Sequence, residues 1–455
     1  CSNTKIHPVY INYGKGFCIF DSILILLHKV KILHKRFLVV FTRFFPYGYR
    51  EPYLLNEITC FAEHFTKVYI FVPIKDGRQN VTLPDNVFVI YFPVKLFLLD
   101  RIKSIAFLFR RHFWRELRIQ GDLLSRRMQF QDLKNILKFL SEAFTTMKWI
   151  RKFSIVNKVP LHKTIFFNTT FDERSMALTM LASRYKVKGI FTRYQSLPEI
   201  LNQGHNRLQL FRALIMKNMD AVFFPSRHSL LYATERYQYY NESKMFIMRY
   251  GVPEVASPNF EGLELNRIKL ISVSFIDKYK RVDAIIDALE TIEGVNIEWH
   301  HIGDGGNISS INQKAFNRLF SKKNINFRFT GNTTPDGLRD AFLEEKPDLF
   351  ISLSASEDIP ISMLEALSYG VPVMTTKVGG ISELIIDAEN GFLLSENPTN
   401  KEIGDMFHAI SSISPDRWIQ MRKNAYDTWK READAARQYQ DLCYLFIQMS
   451  RNYEK

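Results

Sequence analysis

Short runs of consecutive apolar residues alternate along this chain with longer stretches whose apolar positions recur every three or four residues. Residues 36–41 (RFLVVF), 67–73 and 87–92 are of the first kind. They are rich in β-branched and aromatic residues, end at turn residues, and read as strands. Between the first two, a loop with Pro46 and Gly48 leads into a helical pattern over 52–65. Further strands are expected at 164–167, 189–193 and 221–225, with helices between, and residues 101–163 read as mainly helical. Strand, loop, helix, strand is the opening of a parallel α/β sheet.

The alternation pauses at Arg249-Tyr-Gly-Val-Pro253 and a polar stretch to Asn266, then restarts. Strands are expected at 269–274, 297–302, 327–330, 349–352 and 371–375, and helices at 282–289, 337–343 and 361–368. After Thr399 the pattern is helical to the end, with Trp418, Trp429, Tyr439 and Phe446 as packing residues. The expected division is an N-terminal extension (1–35), a first α/β domain (36–252), a second (253–400) and C-terminal helices (401–455). Two α/β units joined by a linker enclose a cleft, and such sheets bind ligands beyond the carboxyl ends of their strands.

The extension carries an apolar run over 17–27, broken by Asp21 and closed by His28, Lys29 and Lys31. It falls short of the roughly 20 residues of a membrane span. It reads as an interfacial helix or an element added to the first domain, with no convincing signal peptide.

Composition sharpens the picture. The chain has 455 residues, of which 46% are hydrophobic and 24% charged, which excludes a disordered chain or a fibre. The formal charge of +14 favours anionic partners: nucleic acid, phosphate-bearing ligands or an anionic membrane. With 38 Phe, the same charge points weakly to a membrane-surface habit. Cys1, Cys18, Cys60 and Cys443 form no C-x-x-C pair and have no His at zinc-finger spacing, so no disulfide framework or metal centre is expected, and a reducing compartment fits. The first residue is Cys1 and not Met. A lipidated mature N-terminus is one reading; a truncated or processed chain is the favoured one.

The segment that carries chemistry runs from Ser354 to Ala366 (SASEDIPISMLEA) and continues through Gly370-Val-Pro-Val373 to Gly379-Gly380 and Glu383. A strand ends at Ser352, a loop carries Glu357, and a helix begins at Pro360. The free N–H groups and positive dipole end of that helix, at Ile361, suit a phosphate. Glu357 precedes the helix and Glu365 lies about one turn inside it, so two carboxylates flank the anion site. That arrangement suits a sugar nucleotide.

This string resembles the signature of the retaining glycosyltransferases of family 4. The resemblance implies the GT-B fold: two Rossmann-like domains facing across a cleft. It implies that Glu357 contacts the donor sugar and Glu365 the nucleotide ribose. Ser272 to Asp283 is similar to the family's strand and Lys loop, which makes Lys280, with Arg281, the diphosphate ligand; Phe275 stands near the place of an Arg in many members. His301-Ile-Gly303-Asp-Gly305 resembles a turn beside the nucleotide. Phe45 to Glu51 resembles the first-domain loop in which Gly48 approaches the donor. Where related sequences carry a His near the sugar, this chain has Thr192-Arg-Tyr-Gln195, and Gln195 is the nearest equivalent. Gln hydrogen-bonds a hydroxyl but shuttles no proton.

The implied activity is retaining transfer from a nucleotide sugar, of UDP or GDP type, to a saccharide or lipid-linked acceptor in cell-surface polysaccharide synthesis. No cofactor and no metal are expected, since the cleft region has no Asp-x-Asp. Arg110-Arg111, Arg126-Arg127 and Arg151-Lys152, with Phe107, Phe109, Phe113 and Trp114 among them, form the pattern of an interfacial helix or of a solvated basic face. A cytoplasmic protein peripheral to the inner membrane face is expected, with no nucleic-acid partner. A sugar-nucleotide epimerase, a glycoside phosphorylase or an inactive binding homologue remain alternatives.

Overall fold

The computed structural model describes residues 37–48, 51, 53–75, 77–79, 81–93, 98–109, 114, 130–195, 211–306 and 308–451. The expected 1–35 extension, Arg110-Arg111 and Arg126-Arg127 lie outside them.

The first domain contains β1 (Phe37–Phe41), α1 (Leu54–His64), β2 (Lys67–Val72), β3 (Val87–Tyr91), α2 (Leu98–Leu108), α3 (Phe130–Val156), β4 (Thr164–Asn168), α4 (Glu173–Tyr185), β5 (Ile190–Arg193), α5 (Arg212–Asn218), β6 (Ala221–Phe224), α6 (Arg227–Tyr237) and β7 (Met245–Ile247). Its seven strands are all parallel in the order β3-β2-β1-β4-β5-β6-β7. Helices cover both faces, so interior strands such as β4 are apolar and buried throughout. The three-residue β7 has no run long enough to read from sequence.

The second domain contains β8 (Arg267–Val273), α7 (Val282–Glu290), β9 (Asn296–Ile302), α8 (Ile308–Leu319), β10 (Ile325–Thr330), α9 (Pro335–Glu345), β11 (Leu349–Ser352), α10 (Ile361–Ser368), β12 (Val373–Thr376) and β13 (Gly391–Leu394). Its six strands are parallel in the order β10-β9-β8-β11-β12-β13. The order in which strands are laid down reverses at β1/β4 in one sheet and at β8/β11 in the other. Loops that leave those strands splay apart and leave a crevice.

Three helices follow: α11 (Asn400–Ser411), α12 (Pro415–Glu432) and α13 (Ala435–Arg451). Ser414 caps α12 by accepting from the Arg417 N–H, and Trp418 and Trp429 are buried beneath it. The last helix crosses back. Phe446 on α13 sits among Phe61, Phe167, Phe191 and Phe223 of the first domain, its ring centroid 4.6 to 5.8 Å from theirs. The aromatic surplus is therefore largely interior packing: Phe41, Phe61, Phe71, Phe92, Phe167, Phe191, Phe211, Phe223, Phe224 and Phe446 are all fully buried.

The two crossings lie side by side. Val252 and Ala433–Ala435 exchange backbone bonds, Tyr439 Oη bonds both the Gly251 N–H and C=O, and Trp429 Nε1 donates to Val252 O. A Cβ on Gly251 would stand 2.6 Å from Ala435 Cα, so only glycine lets the strands pass this closely.

Candidate functional site

The residues of the candidate site gather at the carboxyl ends of β8, β9 and β11. After β8, a 3-10 turn over Lys278–Lys280 presents the Lys280 ammonium, which donates to Glu357 Oε1. Both side chains are largely buried, at 15% and 5% exposure, so each neutralises the other in a setting of reduced water contact. The Glu357 loop is fixed from two sides. Ala355 N–H donates to Tyr279 O at 2.7 Å, and Gly380 N–H to Asp358 O at 2.9 Å. Gly379 has φ +56°, and a Cβ there would fall 1.6 Å from Glu357 O. Glycine is required at that point for the loop to hold this carboxylate.

Helix α10 spans the expected residues. Pro360 is its N-cap and not its first helical residue, and no side chain caps the end. Ile361, Ser362 and Glu365 are half-buried, whereas Met363, Leu364, Ala366 and Leu367 are buried. Glu365 thus shares one stripe with the helix N-terminus, as i, i+3 and i, i+4 spacing dictates. Burial alone pushes its carboxyl up to about 7. By area the residue still touches solvent; the shift reflects how little water surrounds the carboxyl within the cleft.

Gly303 (φ +144°) and Gly305 end β9. Their Cβ positions would meet Ser274 O at 1.9 Å and Ile276 O at 2.6 Å. Their role in the structure is to let this turn lie against the loop that leads to Lys280. Arg281 stands apart from the other basic candidate. It takes a left-handed backbone, and its guanidinium donates to Glu396 O at 2.8 Å and Asn397 Oδ1 at 2.6 Å. The chain direction at the left-handed residue aims it away from Lys280. Phe275 is exposed on the same loop.

On the first-domain side, Gly48 (φ +65°) lies in the loop after β1. The successive N–H groups of Arg43, Phe44 and Phe45 all donate to Glu51 Oε2, at 3.1, 2.6 and 2.9 Å. Such a backbone nest is an anion site, and here the chain's own carboxylate fills it. Sequence reading missed Glu51; an acid a few residues past a strand-ending loop is its only signal. Beside it, Asp172 caps α4 and pairs with Arg174. Burial opposes ionisation of Asp172, but the Arg174 charge and hydrogen bonds from Arg174, Thr170 and Asn168 hold its carboxyl well below the usual range.

Gln195 follows β5, and its Nε2 donates to Tyr250 Oη at 3.1 Å. Tyr250 lies in the interdomain linker, with the Arg193 guanidinium 4.8 Å from its ring centroid. Arg193 in turn forms a buried pair with Glu57 of α1. Burial raises the Tyr250 phenol, and Asp358, next to Glu357, adds to the rise. Gln195 is thereby tied to the domain junction.

The domains also meet at Glu383. Its carboxylate accepts from the Arg227 and His228 N–H groups at the start of α6, at 2.9 and 2.8 Å, and pairs with Arg249 at 3.1 Å. A second-domain carboxylate thus sits on a first-domain helix N-terminus, where the dipole favours it. Gly380 leaves room for Ser226, whose Cβ would be 2.5 Å from a Cβ at that position.

Cys60, His64 and Cys443 come together where α1 meets α13, their ligand atoms all within 4.8 Å of one another. This corrects the expectation that the cysteines have no partners of this kind. The i, i+4 spacing of Cys60 and His64 was legible; the arrival of Cys443 from the last helix was not.

Two facing parallel sheets with these cleft loops define the GT-B glycosyltransferase architecture, and comparisons with known proteins agree. Over 90% of this chain and 99% of the other, the fold matches Anabaena HepE, solved with UDP and glucose (TM-score 0.63, 13% identity). It matches sucrose-phosphate synthase of Thermosynechococcus elongatus over 91% and 99% (TM-score 0.65, 12% identity). Residues 255–428, the second domain and most of the two helices that follow it, match the family model "Glycosyl transferases group 1". Among curated relatives, N-acetyl-alpha-D-glucosaminyl L-malate synthase of Bacillus anthracis is 26% identical over 42% of this chain and 49% of its own length. The putative teichuronic acid biosynthesis glycosyltransferase TuaC of Bacillus subtilis is 30% identical over 27% and 28%. The matched stretches span about half, or less, of those relatives.

Proposed function

We propose that the protein is a retaining glycosyltransferase that moves a sugar from a nucleotide-sugar donor to a saccharide or lipid-linked acceptor in cell-surface polysaccharide synthesis. The observation that carries this reading is the convergence of Lys280, Glu357 and the Glu365 stripe of α10 at the β8/β11 switch point, inside the domain that matches the family model.

Without donor, Lys280 and Glu357 hold each other. A diphosphate would draw the Lys280 ammonium and the N–H groups of α10, and the released Glu357 carboxylate would accept from the sugar hydroxyls. Glu365 would accept from the ribose. Ammonium and helix end supply the charge that a divalent ion supplies elsewhere, so transfer is metal-independent in this reading. Gln195 orients and moves no proton; the leaving diphosphate takes the acceptor proton on the same face. UDP and UDP-glucose, held by HepE in its solved complexes, are the first donors to test. We place the acceptor on the first-domain side. Ile102, Ile105 and Phe109 of the α2 region are exposed at helical spacing, and a lipid-linked acceptor or membrane would cover them.

The test is nucleotide release from a panel of sugar nucleotides, with and without acceptor and with EDTA, followed by proton NMR of early product. Acceptor-dependent release, indifferent to EDTA, with the donor's anomeric configuration kept is the expected result. Interconversion of sugars without acceptor would indicate an epimerase, dependence on phosphate a phosphorylase, and binding without release an inactive homologue. An inverted product would overturn the retaining assignment.

A further inference from the structure

Helices α1 and α13 pack together, and three soft donors converge where they touch. Cys60 and His64 lie four apart on α1 and so share a face. Cys443 arrives from α13. Cys60 Sγ is 3.8 Å from His64 Nδ1, and the three donor atoms are mutually within 4.8 Å. With Zn–S of about 2.3 Å and Zn–N of about 2.0 Å, ligand atoms of a tetrahedral zinc site stand roughly 3.6–3.8 Å apart. A contraction of about 1 Å or less would therefore close the set on an ion.

We propose that Cys60, His64 and Cys443 form a Zn2+ site that staples the last helix to the first domain. Two thiolates balance the charge of the ion, and soft sulfur with imidazole is a donor set that selects zinc over magnesium or calcium. Cys443 is buried, whereas Cys60 and His64 reach solvent, so water can take the fourth position. His64 Nδ1 lies 2.9 Å from Cys60 O and donates to it in one tautomer. To bind the ion, the ring carries its proton on Nε2 and turns Nδ1 from Cys60 O toward the two sulfurs, leaving Cys60 O the amide of its own helical turn. The Tyr444 ring stands edge-on to His64 with centroids 6.2 Å apart, which holds the imidazole in place. The cluster lies toward the carboxyl end of α1. That end points away from the cleft, because a crossover helix runs back along its sheet. The ion would be structural and take no part in transfer.

Metal-free full-length protein, kept reduced with a phosphine, is titrated with Co2+. One equivalent should produce the near-ultraviolet thiolate-to-cobalt band and the visible bands of tetrahedral cobalt, and Zn2+ should erase both. Cys60→Ser and His64→Gln, both at half-exposed positions and checked for folding by circular dichroism, should weaken binding at least tenfold. Zinc should raise the melting temperature of the parent but not of these variants. Absence of the charge-transfer band, or an undiminished band in Cys60→Ser, would overturn the proposal. So would a Cys60–Cys443 disulfide that forms under mild oxidant equally fast with and without zinc, since that behaviour belongs to a redox pair.

Discussion

Burial holds the Glu365 carboxyl at about 7 against an ordinary 4.5. Below neutral pH the empty protein therefore carries it protonated, while ribose hydroxyls donate best to the ionised form. Nucleotide binding should release a proton around pH 6 and tighten as pH rises toward 7. Calorimetry in buffers of different ionisation enthalpy measures that proton, and Glu365→Gln should abolish it. The stability sign is opposite. A carboxyl raised in the folded state binds more protons folded than unfolded between pH 4.5 and about 7, so stability falls as pH rises through that window. Glu365→Gln should flatten the fall in thermal melts. Lys280 and Glu357 act as a pair: Lys280→Ala strands a buried carboxylate, at a cost of roughly 3–5 kcal/mol. The double variant Lys280→Met/Glu357→Gln should recover much of the lost stability and none of the activity. Recovery of activity would remove both residues from the site.

At the level of elements, the loop holding Glu357 depends on Gly379. Gly379→Ala must push against a backbone carbonyl 1.6 Å from the new Cβ. A displacement of even 1 Å at a reacting group can cost roughly 100-fold in rate. Turnover should drop by about that much, with melting lowered only modestly; a variant with normal turnover would show that the loop does not position the chemistry. The same elements explain what sequence made legible. Strand β11 and helix α10 were readable to the residue, because an apolar run ends at a loop and a proline opens a helix over one buried stripe. Strands β7 and β13 and helix α8 were not. Strand β7 has three residues, β13 (GFLL) opens on a glycine and has no β-branched residue, and the polar α8 buries only Ala315 and Leu319. At the site, Lys280, Glu357, Glu365 and the glycines stand in one sequence-local domain and could be read from it. Glu51, the Glu383 contact and the orientation of Arg281 depend on backbone turns and on the other domain, which no local pattern encodes.

For the molecule as a whole, Glu383 is the contact that ties the second domain to the start of α6. Glu383→Ala should loosen the closed arrangement, increase the radius of gyration in small-angle scattering, and weaken nucleotide binding several-fold without unfolding either domain. Among the described residues no helix is long and apolar enough to cross a membrane. The α2 surface should instead bind anionic vesicles in sedimentation, and Phe109→Ser with Ile105→Ser should reduce that binding; an unchanged pellet would return this face to ordinary solvent exposure. Phe446 offers the complementary stability test: Phe446→Ala opens a hole among four first-domain rings and should destabilise by about 3–5 kcal/mol. Its position also sets an order of events on the ribosome. The first domain emerges with an apolar groove that, among the described residues, α13 covers, and all residues from 253 to 434 must be made before that helix appears. At elongation rates of roughly 5–20 residues per second this is a wait of roughly 10–40 s, during which the nascent groove is a natural client for chaperones.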